Sequence, residues 1–245
     1  MRAIVLGLAV ISAFAFAQDR DRTFYLTHTD TPQQLMEVGT TIRTITDIQQ
    51  LSAGQAQKSV TVHASPGQIA MAEWLFNELD SPAAEPSVPH EYRAPGSTDD
   101  VVRVFYVTTA ATIQDFQEVS TLVRTISDTR RVFTYNGRKA LVIRGTDAQI
   151  GLAEWLLKEL EPEAPSSTHE YRMAGPSGNN DDVVGVLRLP QAASVQDFQK
   201  AVTGIRAATQ IKRIFTYNSP RAFAVRGTAD QIALAERMTA QLNKP

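Results

Sequence analysis

The residues that could bind a metal or transfer protons are four histidines and two short polar runs. The runs are Asp99-Asp100 and Asn179 to Asp182, and the histidines are His28, His63, His90 and His169. The histidines lack the spacing of a zinc site, and neither run alternates acids as a calcium loop does. No Ser, His and Asp set recurs or clusters along the chain. The sequence therefore predicts no catalytic residue, no metal site and no cofactor.

Repetition is the main feature of the chain. The segment from Val132 to Asn136, continuing to Thr146, recurs 82 residues later from Ile214 to Asn218, continuing to Thr228. A diverged third copy lies upstream, where Ala72-Glu73-Trp74-Leu75 precedes an identical phrase by 81 residues. Catalysis needs one asymmetric arrangement of groups, whereas repeats multiply surfaces. Three copies predict a binding or assembly protein and not an enzyme.

The middle copy predicts the structure of the module. Val101 to Val107 is β-branched and aromatic, as strands are, and Thr112 begins a helix with a capping hydroxyl. Two further strands are joined through Asn136-Gly137, which tolerates positive φ at both central turn positions. Thr146 and Gln149 form a capping box for a second helix. The predicted class is α+β, with three tandem βαββα modules, each a three-stranded sheet with two helices on one face.

The other copies keep the same kind of capping residue at the starts of their helices. Thr31-Pro32 and Ser65-Pro66 begin the helices of the first copy, and Ser194 and Thr228 those of the third. Pro, Gly, Ser and Ala are frequent between the copies. The predicted organisation is a signal peptide at 1–17, modules at 18–82, 98–162 and 181–245, and linkers at 83–97 and 163–180.

The first 17 residues have the pattern of a secretory signal. Arg2 precedes an apolar run from Ile4 to Phe16, and Ala15-Phe16-Ala17 is a small-residue cleavage site. The run is shorter than the ~20 residues of a spanning helix, so we expect cleavage before Gln18 and no stable membrane insertion afterwards. The chain has no cysteine, and its net charge of −2 argues against nucleic acid as a partner. An exported, periplasmic protein is expected.

Both linkers contain the same four residues. His90-Glu91-Tyr92-Arg93 recurs as His169-Glu170-Tyr171-Arg172, and each is followed by Gly and Pro and then Asp-Asp-Val-Val. One interpretation is a docking tag or an extra edge strand. The other is a linker that was duplicated together with the module.

The module resembles the short amino-terminal domains of bacterial secretins, the ring-building motifs. The resemblance covers all three copies and rests on the element order, on the phrase Leu141 to Thr146, and on the ending Trp74 to Asp80. It implies periplasmic modules that assemble side by side beneath an outer-membrane channel. No run of alternating strands for the channel itself and no glycine-rich gate is present, so we expect no pore from this chain alone.

Strand alternation predicts which side chains point away from the helices. Phe24, Phe105 and Leu187 should face the helices, as should Leu141 and Phe223 on later strands. The outward side chains on the opposite face are then Tyr25, Tyr106, Arg188, His63, Arg144 and Arg226. Because Tyr and Arg are enriched in interfaces, this open face is a candidate binding surface, the alternative being a solvated face.

Two tryptophans complete the candidate interface. Trp74 and Trp155 lie off the apolar stripe of the second helix, where the third copy has Arg237. Each either contacts a neighbour or covers the rim of its own core.

Charge also changes along the chain. Residues 18–85 hold 4 basic and 9 acidic residues, whereas 169–245 hold 10 and 6. This gradient raises the hypothesis of salt-sensitive head-to-tail contact between copies. The pairing would bring Lys212, Arg213 and Arg221 to Glu37, Asp47 and Glu78.

Two classes of function remain open. The first is a scaffold that self-associates or joins a secretion or envelope complex. The second is a monomeric envelope module that captures a peptide, protein or glycan through its open sheet face or edge strand.

Overall fold

The computed structural model describes residues 18–28, 31–81, 90–96, 100–161, 170–173 and 181–244. The predicted signal peptide, His169 and most of both linkers lie outside these residues. Within the described part, no helix combines the length and the apolar character needed to cross a bilayer.

The first module has the predicted order of strand, helix, two strands and helix. Its elements are β1 (Arg20–Tyr25), α1 (Pro32–Thr46), β2 (Gln50–Gly54), β3 (Ser59–Ala64) and α2 (Pro66–Leu79). The three strands form an antiparallel sheet in the order β1-β3-β2.

The second and third modules repeat this order with one strand added in front. The second contains β4 (His90–Arg93), β5 (Val101–Tyr106), α3 (Ile113–Ser127), β6 (Arg131–Tyr135), β7 (Ala140–Gly145) and α4 (Asp147–Glu159). The third contains β8 (Glu170–Arg172), β9 (Val183–Arg188), α5 (Val195–Thr209), β10 (Arg213–Tyr217), β11 (Ala222–Gly227) and α6 (Ala229–Leu242). The α+β class with repeated sheet and helix modules is confirmed.

The sheets of these two modules have four strands and not the predicted three. β4 pairs with β5 in the order β4-β5-β7-β6, and β8 pairs with β9 in the order β10-β11-β9-β8. The repeated His-Glu-Tyr-Arg segment is therefore an edge strand, since its backbone completes the ladder of the following module. Its first residue in the second copy, His169, is outside the described part.

Local sequence explains where the helices begin. A hydroxyl side chain caps each of the six α-helices in the described part of the chain, and five of them have the reciprocal capping box; the caps are Thr31, Ser65, Thr112, Thr146, Ser194 and Thr228. Because each box pairs donors that a helix N-terminus leaves without partners, it fixes the first turn independently of tertiary packing.

The hairpin turn differs from the prediction. Asn136 and Gly137 lie in a short 3-10 turn, and the left-handed residue is Lys139, with φ of 47°. The amide of Lys139 closes the turn on the carbonyl of Asn136 at 3.2 Å. Lys58 and Arg221 have the same role in the other modules. The turn therefore has four residues, from Asn136 to Lys139, and the side chain of Asn136 is available for a contact outside its own module.

The hydrophobic cores continue from one module into the next. Val102, Val104 and Val142 of the second sheet lie in the same buried cluster as the core of the first module. Val184, Val186 and Ala224 of the third sheet likewise belong to the cluster of the second module. The predicted open sheet face is therefore wrong for the second and third modules, because the preceding module covers it.

Candidate interaction site at the module boundaries

The three modules are joined by one docking arrangement that occurs twice. β6 of the second module packs against α1 of the first, and β10 of the third packs against α3 of the second. The first helix of the first module and that of the second module thus each pack against the sheet of the module that follows. We call these two contacts the first and second module boundary.

An asparagine at the hairpin turn binds a glutamate on the facing helix. At the first boundary, Asn136 donates its backbone N–H to Glu37 at 2.9 Å and its side-chain amide at 3.1 Å. At the second, Asn218 donates the same two groups to Glu118, both at 2.9 Å. Each carboxylate accepts two hydrogen bonds in a fixed orientation, so this pair sets the register of the docking.

An arginine at the end of the central strand binds the C-terminus of the same helix. Arg144 donates to the carbonyl of Ile45 at 2.8 Å, and Arg226 donates to that of Ile126 at 3.1 Å. These carbonyls belong to the last turn of the helix, which has no intrahelical donors left for them. A cation there is also favoured by the helix dipole.

Carboxylates complete this arginine cluster. Arg144 forms two hydrogen bonds with Asp100, at 2.7 and 2.6 Å, and Arg131 contacts Asp47 at 2.7 Å. The hydrogen bond from Arg144 is the main cause that lowers the pKa of Asp100 and raises that of Arg144.

The second boundary has the same cluster with a more deeply buried arginine. Arg213 bridges Asp128 and Asp181, each at 2.9 Å. Arg226 is 5% exposed, and its nearest carboxylate, that of Asp181, is 3.7 Å away. Burial therefore lowers the pKa of Arg226, in contrast to Arg144.

The outward residues at the ends of β5 and β9 bind the end of the second helix of the preceding module. The Tyr106 hydroxyl donates to the carbonyl of Glu78 at 3.0 Å, and Arg188 donates to that of Glu159 at 2.6 Å. Burial raises the pKa of Tyr106 and lowers that of Arg188.

The two tryptophans contact the added edge strands. The rings of Trp74 and Tyr92 are 5.6 Å apart, and those of Trp155 and Tyr171 are 5.5 Å apart. Each tryptophan is half-buried and lies on the second helix of the module before that strand. Both therefore contact a neighbour, and that neighbour is the next module of the same chain.

Six of the seven candidate residues thus take part in contacts inside the chain, and Tyr25 is the exception. Tyr25 is 63% exposed on the sheet of the first module. An open groove of about 400 Å³ lies on the same module, lined by side chains that include Asp21, Gln50 and His63. As binding residues for a separate partner, the seven stay a prediction.

Four of the six side chains named for the head-to-tail pairing have contacts within the chain, and the pairing stays a prediction. Glu37 and Asp47 bind the second module as described, and Glu78 contacts His90 at 2.5 Å. Arg213 is held by Asp128 and Asp181. These four side chains are therefore already engaged within one chain.

Sequence reasoning missed the asparagine and glutamate pair. Its signal was present, because Asn136 and Asn218 end the same repeated strand, and Glu37 and Glu118 occupy the same position in α1 and α3. The outward valines such as Val104 and Val142 were a second signal, since a solvated sheet face rarely carries a row of them.

No cluster of metal-binding side chains appears among the described residues. They contain no group of three or more His, Asp and Glu side chains that could hold a metal ion. His28, His63 and His90 each lie beside a single carboxylate, of Asp80, Asp21 and Glu78 respectively.

The chain has structural counterparts among known proteins. No family model and no curated protein matches it. Among solved structures, XcpQN012 matches with 15% identity and a TM-score of 0.29, over 93% of this chain and 100% of that one. The N-terminal domain of the secretin XcpQ from Pseudomonas aeruginosa matches with 13% identity and a TM-score of 0.27, over 92% of this chain and 100% of that one.

A longer secretin chain also matches. Aeromonas hydrophila ExeD has 10% identity and a TM-score of 0.22, and the alignment covers 93% of this chain but 41% of that protein. TM-scores this low transfer no pore, ring or partner. The resemblance inferred from the sequence is nevertheless found again in solved structures: the chain is similar to the amino-terminal domains of secretins.

Proposed function

We propose that this chain is a non-enzymatic, exported scaffold whose secretin-like modules present binding surfaces to a secretion or envelope complex. The observation that carries the proposal is the repeated boundary, in which Asn136 with Glu37 and Asn218 with Glu118 fix successive modules in the same way. A chain held at both boundaries keeps its surfaces at set spacings, which is what a scaffold requires.

Export and assembly are tested in the same cells. The full chain, with a carboxy-terminal tag, is produced in a Gram-negative bacterium, and the cells are fractionated after chemical cross-linking. We expect a periplasmic product that begins at Gln18 and cross-links to other envelope proteins or to itself. A product that keeps residues 1–17 in the cytoplasm would contradict export. A periplasmic product without any cross-linked species would contradict the scaffold.

The open sheet of the first module favours a second candidate, a monomeric module that captures a peptide, protein or glycan. Tyr25 is exposed on that sheet, which also carries the groove lined by Gln50 and His63. Under this alternative, Tyr25→Ala removes the cross-linked species. Under the scaffold proposal, a species that depends on other surfaces persists in that variant. Arg20→Ala, at another exposed position of β1, serves as the control.

A further inference from the structure

The docking arrangement leaves two faces without a partner in the described chain. One is the outward sheet face of the first described module. The other is the face of α5 that corresponds to the docking faces of α1 and α3. We call them the head face and the tail face.

The head face lacks the apolar residues that fill the two boundaries. Its central row across the strands is Thr23, Thr61 and Ser52. The matching rows are Val104, Val142 and Phe133 in the second sheet and Val186, Ala224 and Phe215 in the third. Asp21 likewise stands where Val102 and Val184 stand.

The polar positions of the head face are changed as well. Gln55, Gln50 and His63 occupy the positions of the boundary asparagine and of the two boundary arginines. Each of these three residues is exposed. The head face therefore has none of the groups that bind the facing helix at the boundaries.

The tail face shows the complementary loss. Lys200 replaces the glutamate of α1 and α3, and Gln210 replaces the aspartate that follows those helices. Gly204 stands where Leu122 is completely buried, and Ala208 stands where Ile126 is. All four tail-face residues are exposed, and a Cβ at Gly204 would meet no atom within 4 Å.

Lys200 is the most consequential of these changes. At both boundaries the glutamate accepts two N–H groups from the hairpin turn. An ammonium group has donors only, so at this position it would face other donors and leave them without acceptors. Lys200 therefore opposes the docking of a hairpin of this kind, as well as failing to attract it.

We infer that the head face and the tail face terminate the docking series, so that the chain is a finite unit of three modules that does not extend head to tail. A chain of similar modules faces open-ended polymerisation whenever one free face fits another, because head-to-tail contacts continue as filaments unless their rotation closes a ring. Polar outer faces on terminal repeats prevent that in linear repeat proteins.

Grafting tests the inference directly, because the boundary residues are known. The tail graft restores the α3 face through Lys200→Glu, Gly204→Leu, Ala208→Ile and Gln210→Asp. The head graft gives the first module the face of the second through Asp21→Val, Thr23→Val, Gln50→Arg, Ser52→Phe, Gln55→Asn, Thr61→Val and His63→Arg. Both grafts are made in the full chain, and thermal unfolding confirms that each is folded.

The measurement is binding to the immobilised head graft. We expect the tail graft to bind and the native chain not to bind. A tail graft that retains Lys200 should bind at least about tenfold more weakly, since two hydrogen bonds to a charged acceptor are lost. A chain with both grafts should form polymers whose mass grows with concentration.

Three results would overturn the inference. The first is binding of the native chain to the head graft as tightly as the tail graft binds. The second is a folded pair of grafts that do not bind each other, because the exchanged residues would then not control docking. Head-to-tail association of the native chain would also refute it, and is recognised when Gly204→Arg abolishes it and the neighbouring Thr203→Arg does not.

Discussion

The carboxylate of Glu37 accepts both the backbone N–H and the side-chain amide of Asn136, which lies 99 residues further along the chain. The same geometry joins Glu118 to Asn218 across 100 residues. Long-range pairs of this kind fix how modules dock, and they supply the first prediction.

Glu37→Ala should lower the free energy of unfolding by about 1.5–3 kcal/mol, because it removes two hydrogen bonds to a charged acceptor. The matched control is Lys200→Ala, at the same helix position on an exposed face, where we expect a change within about 0.5 kcal/mol. Chemical denaturation measures both. Equal effects would mean that the pair does not stabilise the boundary.

Arg226→Ala should cost about 1–3 kcal/mol for each of the two backbone carbonyls, of Ile126 and Asp181, that lose their buried donor. His63→Ala removes the residue at the same strand position in the first module, where it is exposed. Its effect on the midpoint of denaturation should be small. A small loss for Arg226→Ala as well would show that water replaces the guanidinium.

Stability should fall in acid through Asp100. Arg144 lowers the pKa of this carboxyl in the folded protein, so its contribution is present above the unfolded pKa of about 3.9 and is lost as pH falls through the folded value. Unfolding free energies between pH 2.5 and 7 should therefore decline less steeply below pH 4 in Asp100→Asn. Parallel profiles for the two proteins would exclude this linkage.

Trp155→Ala should expose the peptide bond after Arg172 to trypsin. The ring of Trp155 packs on Tyr171 in β8, and without it this short edge strand loses an aromatic contact with α4. Cleavage should become several-fold faster, with an upper value of about tenfold, which corresponds to 1.4 kcal/mol. Arg237→Ala, at the equivalent position of α6, should leave cleavage after Arg172 unchanged. Equal acceleration in both variants would contradict the role of the ring.

Leu156→Ala should cost about 2–5 kcal/mol, because Leu156 is completely buried in the core of the second module. Leu242→Ala is the control, since this leucine is 49% exposed. Denaturation with urea distinguishes them. A negligible loss at Leu156 would mean that the stripe of α4 is not a packed surface.

The features that were predictable from sequence are local. A capping box such as Thr146 with Gln149 is recognisable from four consecutive residues. Strand alternation correctly placed Leu141 and Phe223 in the core. The docking was not predictable in this way, because alternation assigns a residue to a face without saying what covers that face. Tyr106 and Arg144 were chosen as interface residues, and the structure gives them an interface inside the chain.

Because adjacent modules share their hydrophobic cores, their stabilities are coupled and they are not independent domains. Because Val102 and Val142 complete the core of the module before them, melting of one module would expose apolar surface on the next. Stability then resembles a one-dimensional chain of coupled units, with an intrinsic energy for each unit and an energy for each junction. The middle unit has two junctions and each outer unit has one, so fraying should start at the ends and the middle module should be the last to open.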